Sequence, residues 1–201
     1  MAQTKIIPGY PAMMIESDKK SLVITDLHLG FENNLSLNNI FLGKNKTTIE
    51  ITKEIEQIIN KTNPDSLILL GDIKSGIRSI SKIEWETVPV FFETITKLID
   101  TILIPGNHDA NIEKLIPNGI TLASSKGIII DNILLTHGHT MPTENFSHVN
   151  TIVMGHVHPV FFQEESLING ERVWVSIKCK KQKIFSSKPG KLEIIILPSF
   201  N

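Results

Sequence analysis

Eight short apolar runs punctuate the chain, and they leave little freedom in how it can fold. They are "SLVIT" (21–25), "SLILL" (66–70), "TILIP" (101–105), "GIIIDNILLT" (127–136), "TIVMG" (151–155), "VFFQ" (160–163), "RVWVSI" (172–177) and "KLEIIIL" (191–197). Short β-branched blocks bounded by Gly, Asp or Asn read as buried strands. Two longer segments between the early runs follow a helical period instead. In "KTTIEITKEIEQIINKT", Ile51, Ile55, Ile58 and Ile59 fall on one helix face. "KIEWETVPVFFETITKLID" carries Ile83, Phe91, Phe92, Ile95, Leu98 and Ile99. Pro89 is expected early in that helix or just before it, where a missing N–H is tolerated. The first half therefore alternates strand and helix, which predicts βαβ units and parallel pairing. The second half is strand-rich, and "IIIDNILL" predicts a hairpin around Asp131 and Asn132. The expectation is an α/β core passing into a second, mostly β sheet. No repeat, low-complexity block or linker divides residues 1–201, so one domain is expected.

Composition narrows the class further. The net charge of −1 gives no global field toward nucleic acid or anionic lipid. Cys179 is the single cysteine, which excludes a disulfide framework within the chain and a thiolate metal cage. The first residues lack a basic start followed by a long apolar stretch, and no segment approaches the ~20 apolar residues of a membrane span. A soluble, cytoplasmic protein is expected.

The polar residues that end the strands carry the functional signal. "LVIT" runs into Asp26-Leu27-His28, "LILL" into Gly71-Asp72, and "TILIP" into Gly106-Asn107-His108-Asp109. "NILLT" runs into His137-Gly138-His139, and "TIVM" into Gly155-His156-Val157-His158. Carboxyl ends of parallel strands share one edge of a sheet, where ligands bind, so residues distant in sequence can converge there. Asp26 and His28 are two apart, as are His156 and His158, and on an extended backbone such pairs point to the same side. Asn107 and His108 are adjacent and should do different jobs. Gly71, Gly106 and Gly155 allow sharp turns beside a crowded site. Singly, each of these stretches is an ordinary turn. Together they take six of the seven histidines, leaving only His148, expected on the surface or in a loop.

The order of these blocks, matched by "DLHLG", "GDIKSG", "GNHD", "THGHT" and "GHVH" over residues 26–158, resembles the calcineurin-like metallophosphoesterases. "DLHLGFE" and "GDIKSG" further resemble small stand-alone archaeal phosphoesterases and bacterial relatives associated with DNA ligases. The resemblance implies a two-sheet β-sandwich flanked by helices, a four-layer α/β/β/α fold. It implies one metal on Asp26, His28, Asp72 and His158, and a second on Asp72, Asn107, His137 and His156, with Asp72 bridging. Two divalent ions about 3.5–4 Å apart can clamp an in-line displacement, and a hydroxide bridging them supplies the nucleophile. Mixed nitrogen and oxygen ligands suit Mn, Fe, Zn, Co or Ni over all-oxygen Ca or Mg sites, with manganese heading the candidates. His108 is then the proton donor to the leaving oxygen, with Asp109 orienting its imidazole. His139 is expected to contact phosphate or to support a ligand.

One position departs from the family pattern. Many members carry an acidic residue three positions after the bridging Asp, where this chain has Ser75 preceded by Lys74. Lys74 is either a point charge for a substrate phosphate or a solvated loop lysine. Near the C-terminus, Lys178, Lys180, Lys181, Lys183, Lys188 and Lys191 form either a basic patch or, the favoured reading, a solvated edge hairpin. The activity implied is a binuclear metal-dependent phosphoesterase for phosphodiesters or phosphomonoesters, with nucleotides and nucleic-acid ends among the substrates. The rival reading is a catalytically silent scaffold of the same fold. Retention of every expected ligand and of His108 favours the enzyme.

Overall fold

The computed structural model describes residues 1–31, 46–164, 167 and 169–201. Two sheets pack face to face. The first contains β1 (Gln3–Ile6), β2 (Met13–Glu16), β3 (Lys20–Ile24), β4 (Ser66–Leu69), β5 (Asp100–Leu103) and β6 (Ile120–Leu122), side by side in that order. From β3 to β6 every pairing is parallel, because helices carry the chain back between strands. The second holds β7 (Ile128–Ile130), β8 (Ile133–Thr136), β9 (Thr151–Met154), β10 (Val175–Lys180) and β11 (Lys191–Ile196), ordered β10-β11-β9-β8-β7. β7 and β8 form the expected hairpin, with Asp131 at a left-handed φ of 52° in its turn.

Both faces of the first sheet are covered, which is why its strands read as unbroken apolar runs. Val23, Ile68, Leu70 and Ile104 point inward and meet Ile133, Leu135, Val153 and Ile195 of the second sheet. Leu22, Ile24, Leu67, Leu69 and Leu103 point outward against α1 (Lys46–Thr62) and α2 (Lys82–Ile95). α1 buries Ile51, Ile55, Ile58 and Ile59, the face its spacing predicts. α2 begins at a complete capping box, Ser81 with Glu84, so two amides that have no partner inside the helix are satisfied at once. Among the described residues, the outer face of the second sheet is covered by single-turn 3-10 helices and Phe185. No helix among the described residues is long and apolar enough to cross a membrane.

Several local expectations need correction. Pro89 lies inside α2, not at its start. Having no N–H, Pro89 cannot donate to the Trp85 carbonyl one turn earlier. β1, β2 and β6 are additional strands. β2 reads "MMIE", where methionine replaces the β-branched signal. Conversely, 160–163 forms only a bridge between Val160 and Arg172, and Phe162 is 82 % exposed with no sheet face to cover it. The lysine-rich C-terminal segment is an edge hairpin with Lys178 and Lys180 exposed, but Lys181 is buried and donates to Asn150 Oδ1 at 2.9 Å.

Phe92 is fully buried between α2 and the first sheet, whereas Val90 on the same helix is 57 % exposed. Phe92→Ala should lower the unfolding free energy by about 3–5 kcal/mol in urea titrations, and Val90→Ala by less than about 0.5 kcal/mol.

Candidate metal centre

Strand register brings the site together. Ile24, Leu69 and Leu103 are aligned neighbours, so the turns holding Asp26, Asp72 and Asn107 leave the first sheet at one edge. Thr136 pairs with Met154, so the turns holding His137 and His156 leave the second sheet together. The two edges meet. His156 N–H donates to Asp26 Oδ2 at 3.0 Å, and His137 Nδ1–H donates to the Leu70 carbonyl at 2.6 Å.

The backbone at this junction is not extended. Asp26, His28, Asp72, His156 and His158 all take left-handed φ, at 58°, 45°, 52°, 68° and 48°. The paired residues therefore converge because each turn folds back sharply, not because strand alternation puts them on one side. His156 sits at the centre of a three-residue turn closed by Val157 N–H to the Gly155 carbonyl at 2.8 Å. Gly71 supplies a positive φ of 78°. Gly106 and Gly155 act differently, through the missing side chain. A Cβ at Gly106 would overlap Asp72 Oδ1, and one at Gly155 would overlap the Thr25 hydroxyl and lie 2.6 Å from Asp26 Oδ2.

Three groups of donors result. Asp26, His28 and His158 form one, Asp72, His137 and His156 another, and His28, Asp72 and His108 a third between them. His158 Nε2 lies 3.1 Å from Asp26 Oδ1 and 3.3 Å from His28 Nε2. His137 Nε2 lies 3.3 Å from Asp72 Oδ1 and 3.2 Å from Asn107 Oδ1. Asp72 turns its other oxygen, Oδ2, to His28 Nε2 at 4.0 Å. Asp26 Oδ1 is buried with no hydrogen-bond partner. An unpartnered carboxylate oxygen close to ring nitrogens fits a divalent cation. The Leu70 carbonyl takes the Nδ1–H of His137, leaving its Nε2 lone pair toward Asp72 and Asn107.

The titration behaviour follows from this crowding. Burial opposes the charge on Asp72, yet the His137 ring and the His108 amide hold its carboxyl down at about 2. Burial also opposes the charge on His137, but Asp72 and Asp26 raise it. His158 is raised by its approach to Asp26. Burial lowers His28 and His156, and His137 lowers His156 further.

The remaining expected residues fall into place unevenly. His108 donates its amide to Asp72 Oδ1 at 2.9 Å, and its Nε2 lies 3.9 Å from Asp72 Oδ2. Its Nδ1–H meets the Ser75 carbonyl at 2.6 Å. Asp109 therefore does not orient His108. Its Oδ1 accepts the amides of Ile73 and Lys74 at 2.8 and 3.3 Å, and its Oδ2 that of Gly106 at 2.9 Å. Burial pushes the Asp109 carboxyl up, against the opposing pull of those amides. Lys74 is 0 % exposed and donates to the Gly76 carbonyl, so it is neither a solvated lysine nor open to a substrate phosphate. Glu84 from α2 accepts the Gly76 amide at 2.6 Å and stiffens the same loop. Ser75, at the position of the expected acidic residue, supports His108 through its backbone. The His139 ring lies 5.3 Å from that of His137, with Nδ1 buried and unpartnered. His148 is exposed, as expected.

A cleft of about 450 Å³ opens on this cluster, lined by His28, Phe31, Ser75, His108, His158 and Asn201. Phe31 and Asn201 were not expected here. Phe31 follows the first motif in "DLHLGF" and could have been noticed, whereas nothing around Asn201 signals a site. A wider hollow of about 840 Å³, lined by Lys178, Lys180, Lys191 and Glu193, lies at the amino ends of β9 and β11, the opposite end from the metal-type donors.

Comparison with known proteins agrees with this geometry. Along its length the chain is similar to the crystal structure of Pseudomonas putida nuclease MPE, at 16 % identity and a TM-score of 0.57, over 100 % of this chain and 88 % of that one. It also matches YfcE, a phosphoesterase from E. coli, at 17 % identity and a TM-score of 0.42, over 72 % of this chain and 73 % of that one. Among curated proteins, none matches significantly. At such identity the match to nuclease MPE speaks to the fold alone, which is the α/β two-sheet sandwich described above. The model of the calcineurin-like phosphoesterases matches residues 19–184, the stretch that carries every turn of the cluster. The chain belongs to the calcineurin-like phosphoesterase family, metal-dependent hydrolases of phosphoric esters.

Proposed function

We propose that this protein is a binuclear phosphoesterase. One ion is held by Asp26, His28, Asp72 and His158, the other by Asp72, Asn107, His137 and His156. The observation that carries this reading is the split of Asp72, whose Oδ1 faces His137 and whose Oδ2 faces His28. A carboxylate that serves two donor groups sets the spacing between two cations. Neutral Asn107 fills a position without adding negative charge beside an anionic substrate. When bound, the ions supply an activated hydroxide and neutralise the charge that builds on the phosphoryl group. The donor set fits manganese, with Fe, Zn, Co and Ni as alternatives.

The chain's own groups do the rest. His108 faces the centre with Nε2 while Ser75 fixes Nδ1–H, so the ring cannot swing away. In this position it donates a proton to the departing oxygen. His139, beside His137 and His156, supports that side of the site. The substrates we favour are nucleotides or nucleic-acid ends. Phe31 is 42 % exposed and lines the same cleft as His108, giving a base a face on which to stack. The same fold serves a nuclease in Pseudomonas putida.

Chelator-stripped protein should hydrolyse bis-p-nitrophenyl phosphate only after Mn²⁺ is added back, with about two Mn bound per chain by mass spectrometry. Asp72→Asn should lose metal and fall roughly 10²- to 10³-fold in kcat. Wild-type protein inert across several divalent ions would sink the hydrolase reading. His108→Ala should keep its metal content while kcat falls ~10²- to 10⁴-fold on a dinucleotide, whose alkoxide leaving group needs a proton; undiminished turnover of that substrate removes the proton-donor role. Phe31→Ala should raise KM for thymidine 5′-(4-nitrophenyl phosphate) by roughly fivefold to a hundredfold, and leave methyl 4-nitrophenyl phosphate unaffected. The leaving group is the same in both esters, so an equal effect on the two would rule out stacking.

A further inference from the structure

Beyond β11, the chain runs back beneath the first metal turn. Phe200 N–H donates to the Thr25 carbonyl at 3.0 Å, and Asn201 N–H to the Asp26 carbonyl at 3.3 Å. The Ser199 hydroxyl lies 3.1 Å from the Asp26 carbonyl and 2.5 Å from that of Asn201, so its one proton is shared between them. Arg172 grips the segment from outside, donating to the Ser199 and Phe200 carbonyls at 2.9 and 2.6 Å. Phe200 is 3 % exposed and packs into the core beneath the helices. Thr25 closes the other side of the turn, with its hydroxyl 2.8 Å from Asp26 Oδ2 and 3.0 Å from the Leu70 carbonyl.

Asp26 needs such a hold. Its φ of 58° is unfavourable for a residue with a side chain, and it persists only where the surroundings over-determine it. The carbonyl of Asp26 is fixed from behind by the segment, while Asp26 Oδ1 is presented, unpartnered, to the donor cluster. The same segment reaches the cleft. Asn201 lines it together with His28, His108 and His158, and among the described residues these are its only lining groups besides Phe31 and Ser75.

We infer that Ser199–Asn201 is a working part of the site: Ser199 positions the metal-bearing turn at Asp26, and Asn201 meets the substrate's phosphoryl or ester oxygens beside His108. An amide offers two N–H donors without repelling a phosphate. This inference rests on the phosphoesterase reading for Asn201, but for Ser199 it rests only on metal binding.

The two roles separate in experiment. Calorimetry on chelator-stripped protein should show Ser199→Ala binding Mn²⁺ about tenfold more weakly, with Ser199→Thr close to wild type. At saturating Mn²⁺ the KM of Ser199→Ala for bis-p-nitrophenyl phosphate should be unchanged. Asn201→Ala should do the reverse, raising KM about fivefold with Mn²⁺ affinity unchanged. Should Ser199→Ala fail to fold, Arg172→Gln releases the same segment and should weaken Mn²⁺ similarly. Mn²⁺ affinity within about twofold of wild type in both Ser199→Ala and Arg172→Gln overturns the positioning role. An unchanged KM in Asn201→Ala overturns the substrate role. A wild type that binds Mn²⁺ yet hydrolyses no ester overturns the phosphoesterase reading and Asn201 with it, while the calorimetry still decides Ser199.

Discussion

Asp72 has to leave a strand, reverse the chain and present two oxygens to two different sets of nitrogens within one residue. Everything nearby makes room for that. Gly71 takes the positive φ that precedes the turn, and Gly106 has no Cβ to strike the carboxylate. The His108 amide fixes Oδ1 at 2.9 Å. Proximity to His137 and to that amide keeps the carboxyl charged down to about 2 despite its burial. On the binuclear reading proposed above, an ionised carboxylate is what the two cations would require, and a neutral one would hold neither.

The left-handed turns are costly, since each non-glycine residue held there is disfavoured by ~1–3 kcal/mol. Five of them occur at Asp26, His28, Asp72, His156 and His158. What holds them is the rigid strand ends beneath. β3, β4 and β5 are buried on both faces, so their termini cannot relax to relieve the turns above. Polar tethers do the fine adjustment: Asp109 gathers three amides of the loops around Asp72 and Asn107, and Glu84 reaches from α2 to the Gly76 amide.

Much of this was legible in the sequence because strands buried on two faces announce themselves as continuous apolar runs, and because the donor residues sit at fixed offsets from them. The runs at 66–70 and 151–155 and the turns after them lie where spacing puts them. The methionine-rich β2 and the three-residue β6 were not legible, since such short segments show no period. Asp109 was misread for a different reason. Its neighbours in sequence suggest a partner for His108, but a side chain's direction at a turn depends on backbone angles that spacing cannot supply. Lys74 likewise reads as a surface charge until the loop closes over it. Asn201 was out of reach because its place in the cleft depends on the chain passing from the end of β11 in the second sheet to the end of β3 in the first.

The donors are divided between layers. Asp26, His28, Asp72 and Asn107 extend from the first sheet, and His137, His156 and His158 from the second. An ion gripped by both acts as a bolt through the sandwich, with no counterpart in the unfolded chain. At a free concentration a hundred times its dissociation constant, each ion adds about 2.7 kcal/mol to the native state. On the ligand assignment proposed above, the supply of metal would set how firmly the two halves stay joined, as well as whether the chemistry runs.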